Sequence, residues 1–121
     1  MHVAHAELTV AHERQRDPAL AATLGASREA GLPDIAGSAT QGKLLNLLAR
    51  VQGARNILEV GTLGGYSTIC LARGLAPGGK VVTIELEPKH AEVARTSIAG
   101  AGLADRVERK NYEYLISLEK G

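Results

Sequence analysis

The sequence predicts an α/β domain built on a parallel sheet, and three observations predict it. Apolar segments at helical period alternate with short β-branched or apolar runs, in the order helix, strand, helix, strand, helix, strand. Strands separated by helices of this length imply right-handed crossovers and parallel pairing. A glycine-rich turn, Gly61-Thr-Leu-Gly-Gly65, joins the first strand to the following helix, the place where α/β proteins bring backbone N–H groups up to a ligand.

The elements follow in order. Residues 1–16 are mixed and polar, fitting a short helix or a frayed arm; His2, His5 and His12 read as solvated rather than as metal ligands, since no carboxylate cluster accompanies them. Asp17-Pro18 suits a helix start, and the Ala-rich stretch to Ala30 carries Leu20 and Leu24 on one face before Gly31 and Pro33 end it. Leu32 to Gly37 reads as a linker. Ser38 and Gln41 have capping-box spacing. The next helix places Leu44, Leu47, Leu48 and Val51 at i, i+3, i+4 and i+7, predicting that face as the buried one, with Lys43, Asn46 and Arg50 on the solvated face.

Ile57, Leu58 and Val60 predict a buried strand; after the glycine turn, Ile69, Ala72 and Leu75 predict a helix ending at Ala76-Pro-Gly-Gly79. Val81-Val-Thr-Ile84 reads as a second strand ending in Glu85. Pro88 opens a helix with Ala91, Ala94, Ile98 and Ala101 on one face, and His90, in its first turn, reads as surface. Arg106-Val-Glu-Arg109 is a candidate third strand. From Lys110 to Gly121 the composition shifts, with two of the three tyrosines and no alanine. That tail fits a short amphipathic helix or strand with Tyr112, Leu115 and Ile116 inward.

Composition narrows the function. The 121 residues suffice for one domain. Aromatics are 2%, so the core must come from Ala, Leu, Val and Ile. Net charge is +1, which argues against nucleic acid as a partner. No apolar run approaches transmembrane length. The single cysteine, Cys70, excludes an internal disulfide and suits a reducing, cytoplasmic setting.

The turn's spacing excludes two phosphate binders. Gly61 lacks the second glycine of a dinucleotide fingerprint, and no lysine follows as a P-loop requires. What is present is Glu59-x-Gly61-x-x-x-Gly65, with Glu85 twenty positions further on. A carboxylate there can accept hydrogen bonds from a ribose diol. A plain strand-to-helix turn remains open for the glycines, a helix cap for Ser67, packing for Tyr66 and a solvated strand-end charge for Glu59 and Glu85.

Leu32-Pro-Asp-Ile, Ala39-Thr-Gln-Gly-Lys-Leu-Leu, Ile57-Leu-Glu-Val-Gly-Thr-Leu-Gly-Gly-Tyr-Ser-Thr, Val82-Thr-Ile-Glu, His90-Ala-Glu-Val-Ala-Arg and Ala101-Gly-Leu-Ala-Asp-Arg-Val resemble bacterial S-adenosylmethionine-dependent O-methyltransferases of the catechol and caffeoyl-CoA group. The resemblance covers residues 17 to 108. It implies a Rossmann-like methyltransferase fold of which this chain holds the N-terminal half: an arm and linker over 1–37, the cofactor-binding half over 38–109, and an atypical tail over 110–121. It implies methyl transfer from S-adenosylmethionine to a small-molecule, catechol-like hydroxyl. Gly61, Thr62 and Gly65 would form the turn against the methionine part of the cofactor. Glu59 would help with its amino-acid group, and Ser67, beside Tyr66, would bond its carboxylate. Glu85 would take the ribose hydroxyls, and Gly37 would lie in the segment closing over the cofactor. The resemblance also implies a divalent metal, magnesium, whose ligands lie beyond this chain, so no catalytic residue is assigned here. A central first strand left at an open edge predicts either a homodimer through Ile57–Val60 or a marginally stable chain. A non-catalytic cofactor-binding or dimerisation module is the alternative.

Overall fold

The computed structural model describes residues 17–33 and 39–120. The arm with its histidines, the Ser38 cap and Gly37 lie outside them. Eight elements alternate as expected: α1 (Pro18–Glu29), α2 (Ala39–Val51), β1 (Asn56–Val60), α3 (Tyr66–Arg73), β2 (Lys80–Ile84), α4 (Pro88–Gly100), β3 (Val107–Lys110) and α5 (Tyr112–Lys120). The three strands form one parallel sheet in the order β1-β2-β3. β3 begins one residue later than expected and takes in Lys110.

α3 and α4 cover one face of the sheet. Their core is Ile69, Cys70 and Ala72 against Val81, Ala94, Ile98 and Val107, closed from above by Leu20 of α1. Apart from Cys70 and the buried Tyr66 it is aliphatic, in keeping with the scarcity of aromatics. On the other face Val82 and Leu58 line a groove that α5 covers in part with Tyr114 and Leu118. The tail is therefore a helix, with Leu115 and Ile116 half-buried.

α1 starts where the sequence placed it. Asp17 Oδ1 accepts the Leu20 N–H at 3.1 Å, and Pro18 takes the first helical position, where a missing N–H costs nothing. The same carboxylate is ion-paired with Arg73 at the end of α3. Burial pulls the Asp17 carboxyl upward, but the Arg73 guanidinium and the Leu20 N–H outweigh it and hold the group below the usual carboxylate range.

α2 corrects the sequence reading. Its buried residues are Ala39, Gly42 and Ala49, and this small-residue seam lets α2 approach α3 closely. A Cβ on Gly42 would stand 2.9 Å from the Tyr66 ring, and one on Gly74 of the facing helix end would stand 2.7 Å from the Asn46 carbonyl oxygen. The expected solvated face joins the same seam: Asn46 donates to the Cys70 carbonyl at 2.9 Å, and Arg50 reaches the Arg73 carbonyl. The leucine stripe faces the other way. Leu44, Leu47 and Leu48 are about half exposed and Val51 is 82% exposed.

Two outcomes test this architecture. Gly74→Ala should cost about 1–3 kcal/mol in urea unfolding because the methyl has no room, whereas Leu47→Ala should stay within about 0.5 kcal/mol. Asp17→Asn should lower the melting temperature at pH 7. A carboxyl depressed in the folded state stabilises above its unfolded pKa and loses that contribution as pH falls through the folded value. The gap between variant and parent should therefore close below about pH 4.

Candidate functional site

The site begins with Glu59. It points to the α3 side of β1, directly opposite Thr83 in the β1–β2 register. Its carboxylate accepts from three hydroxyls: Ser67 Oγ at 2.5 Å, Thr83 Oγ1 at 2.8 Å, and Thr68 Oγ1. Because Thr83 gives its proton to Glu59, the Thr62 hydroxyl, 2.5 Å away, must be the donor in the Thr62–Thr83 bond. Thr62, Thr68 and Thr83 are buried. Glu59 is thus satisfied by β2, by the first turn of α3 and, through Thr83, by the glycine turn.

The turn is held as firmly by its backbone. The N–H groups of Gly61 and Thr62 both donate to the Ile84 carbonyl, at 2.8 and 3.3 Å, and the Gly65 N–H donates to the Thr62 carbonyl. Gly61 and Gly65 have φ of 94° and 95°, and Leu63, between them, has φ of 51°, a conformation that costs a branched side chain energy. The Leu63 N–H is held in return by Glu85 Oε1 at 2.7 Å. The second Glu85 oxygen accepts the Glu87 N–H at 3.0 Å and lies 3.8 Å from His90 Nδ1.

Above this floor is a cavity of about 380 Å³, bounded by Gly61 to Gly64, Ser67, Glu85 and His90 on one side and by Leu24, Ser27 and Arg28 of α1 and Leu32 on the other. That volume is within the range of small-molecule sites. A Cβ on Gly61 would meet no atom within 4 Å and would project into open space, whereas a Cβ on Gly64 would strike Ser27 Oγ at 2.0 Å. Glycine at the first position keeps room for a ligand; glycine at the second admits α1. α3 opens at the cavity wall from Gly65, without a side-chain cap, so the N–H groups of its first turn and its positive dipole end suit an anionic group.

Of the expected site residues, Gly61, Thr62, Tyr66, Ser67 and Glu85 line this cavity. Glu59 stands one layer behind it. Gly65 packs against Ala94 of α4 instead of facing the cavity, its would-be Cβ 3.4 Å from the Ala94 Cα. Tyr66 is buried in the seam with Gly42, so its ring is chiefly a packing element. Ser67 gives its only hydroxyl proton to Glu59, so toward a ligand that oxygen can only accept; a ligand carboxylate is left to backbone N–H groups. Ser27, Leu63, Gly64 and His90 were not anticipated. For His90 the signal was present: five residues after Glu85, across a Pro88 helix start, brings it back beside the strand-end carboxylate. Among the described residues no group of three His, Cys, Asp or Glu could hold a metal ion.

A sequence model of the O-methyltransferase family matches residues 13–120, which takes in the tail. The chain is 65% identical over 92 residues to a catechol O-methyltransferase of Mycobacterium tuberculosis, a match covering 76% of this chain and 42% of the relative. Its fold superposes on an O-methyltransferase of Bacillus cereus in complex with SAH, with TM-score 0.82 and 55% identity over 86% of this chain and 47% of that one. A Streptomyces achromogenes O-methyltransferase in complex with SAM gives TM-score 0.78 at 53% identity, covering 86% of this chain and 47% of that one. The chain spans under half the length of these relatives. The glycine turn, its carboxylate and the matching family pattern agree, and the chain belongs to the O-methyltransferase family.

Proposed function

We propose that this chain is the cofactor-binding half of a small-molecule O-methyltransferase that uses S-adenosylmethionine and a catechol-like hydroxyl acceptor in a cytoplasmic setting. The observation that carries this reading is the placement of Glu85. Its carboxylate borders a cavity that is also lined by the glycine turn and by the start of α3, a helix N-terminus without a side-chain cap. A nucleoside carrying an amino-acid tail needs those two ends: an acceptor pair for ribose hydroxyls and N–H donors for a carboxylate. Each Glu85 oxygen holds one backbone N–H and keeps lone-pair capacity for a hydroxyl donor.

When bound, S-adenosylmethionine would supply an electrophilic methyl group on its sulfonium. The chain's own contribution is positioning, the share of an in-line displacement that comes from holding the donor in one orientation. Glu85 fixes the ribose, the first turn of α3 fixes the carboxylate, and the open space over Gly61 admits the part between them. The Ser67 oxygen, an acceptor on this side, suits the ammonium. The divalent ion implied by the resemblance has no ligand set among the described residues. Turnover is not expected of these 121 residues alone.

A second reading, a non-catalytic cofactor-binding or dimerisation module, draws on the open edge of β1, along which a homodimer would pair.

Titration calorimetry of the 121-residue chain with S-adenosylmethionine tests the first reading. Glu85→Ala should weaken binding about ten- to a hundredfold, the loss of hydrogen bonds to a charged acceptor; equal binding by parent and variant would remove Glu85 from the site. Glu59→Gln should lower stability by about 1–3 kcal/mol as well as affinity, because it loosens the turn without touching the ligand. Urea unfolding beside calorimetry separates the two effects.

A further inference from the structure

His90 owes its position to two features of α4. Glu87 caps the helix and Pro88 takes its first position, so His90 falls in the first turn, where side chains lean back toward the N-terminus. Four residues on, Ala94 is fully buried and packs against the glycine turn, its Cα 3.4 Å from where a Gly65 Cβ would stand. Positions i and i+4 share one face of a helix. The tight contact at Ala94 therefore aims His90 at the end of β2, over Glu85.

There the two side chains leave a gap of definite size. His90 Nδ1 lies 3.8 Å from Glu85 Oε2, too far for a direct hydrogen bond. Both side chains are mostly buried, 21% and 13% exposed, and both border the cavity. Among the described residues Glu85 is the only polar partner of the imidazole. Oε2 accepts one N–H, from Glu87 at 3.0 Å, and keeps lone-pair capacity. Facing a carboxylate oxygen, Nδ1 carries the imidazole proton, because two opposed lone pairs repel. A donor and an acceptor thus stand side by side on the cavity wall. An oxygen about 2.8 Å from each of two atoms 3.8 Å apart closes a triangle. A hydroxyl suits that place, since it donates to the carboxylate and accepts from the imidazole. A carbonyl or an ether has no proton for the carboxylate, and an ammonium has no lone pair for the imidazole.

We propose that His90 is a specificity-determining residue at the nucleoside end of the site. With Glu85 it brackets one ribose hydroxyl, Glu85 taking the proton and His90 donating to the oxygen. The proposal rests on the reading of Glu85 as the ribose acceptor. It adds that the two ribose hydroxyls are held unequally, one by a carboxylate oxygen alone and the other by carboxylate and imidazole together.

Titration calorimetry of the 121-residue chain with S-adenosylhomocysteine and with its 2′-deoxy and 3′-deoxy analogues tests it. His90→Ala should weaken binding of S-adenosylhomocysteine about two- to tenfold, the loss of one ordinary hydrogen bond. It should weaken one deoxy analogue by the same factor and leave the other, which lacks the bracketed hydroxyl, unchanged. His90→Asn, whose side-chain amide offers an N–H close to the place of Nδ1, should bind all three ligands as the parent does. The imidazole gives up no hydrogen bond within the described fold, so the urea midpoint should stay where it is in both variants. Equal losses on all three ligands would mark a merely structural residue and overturn the proposal, as would no loss on any, or an asparagine variant that behaves like the alanine one. In those cases binding by the parent, and its weakening by Glu85→Ala, would leave the Glu85 reading standing. A parent chain that binds none of the three ligands overturns both.

Discussion

The structure depends most on one carboxylate. Glu59 ends the α3-facing side of β1 and accepts three hydroxyl protons, from Ser67, Thr68 and Thr83. Hydrogen bonds to a charged acceptor contribute about 1.5–3 kcal/mol each, and a buried hydroxyl without a partner costs a similar amount. Thr62, Thr68 and Thr83 are tolerable in the interior because this anion gives Thr68 and Thr83 an acceptor directly and orients Thr83 to accept from Thr62. The consequence reaches the ligand side. Ser67 and Thr62 are oriented by the back of the site, so the cavity wall is set before any ligand arrives, which is the condition for positioning to contribute to catalysis.

Much of this was legible in the sequence, for physical reasons that also explain the failures. A strand of apolar residues interrupted by glycines at a strand-to-helix junction has few alternative structures, and the element order follows from it. The Asp17-Pro18 start was legible because capping is local chemistry. The orientation of α2 was not. Periodicity assigns the largest apolar side chains to the core, yet α2 meets α3 through Ala39, Gly42 and Ala49, where small residues allow backbone approach and Asn46 can reach a carbonyl. The leucines lie on the outer face, and periodicity within one helix does not tell which of its faces meets the neighbouring helix.

Site residues divide along the same line. Glu85, singled out by its position at a strand end, and Gly61, singled out by its spacing, both border the cavity. Glu59 and Gly65 stand behind the cavity lining, because a motif records that a residue is needed without saying whether it supports a site from behind or borders it. Gly64 and His90 were missed for the opposite reason: their roles arise from contacts with α1 and with the end of β2, across sequence separations that spacing does not encode.

An open edge beside a ligand site raises the question of whether the site can hold its shape without further strands. The hydrogen bonds answer it. The turn leaves β1, but its first two N–H groups bind the carbonyl of Ile84, at the end of β2, the one strand paired on both sides. Glu59 is likewise bound to Thr83 of β2, and Leu63 to Glu85 just beyond it. The anchoring therefore runs inward, from the edge strand to the central one, and the cavity floor does not rely on whatever pairs with the outer side of β1.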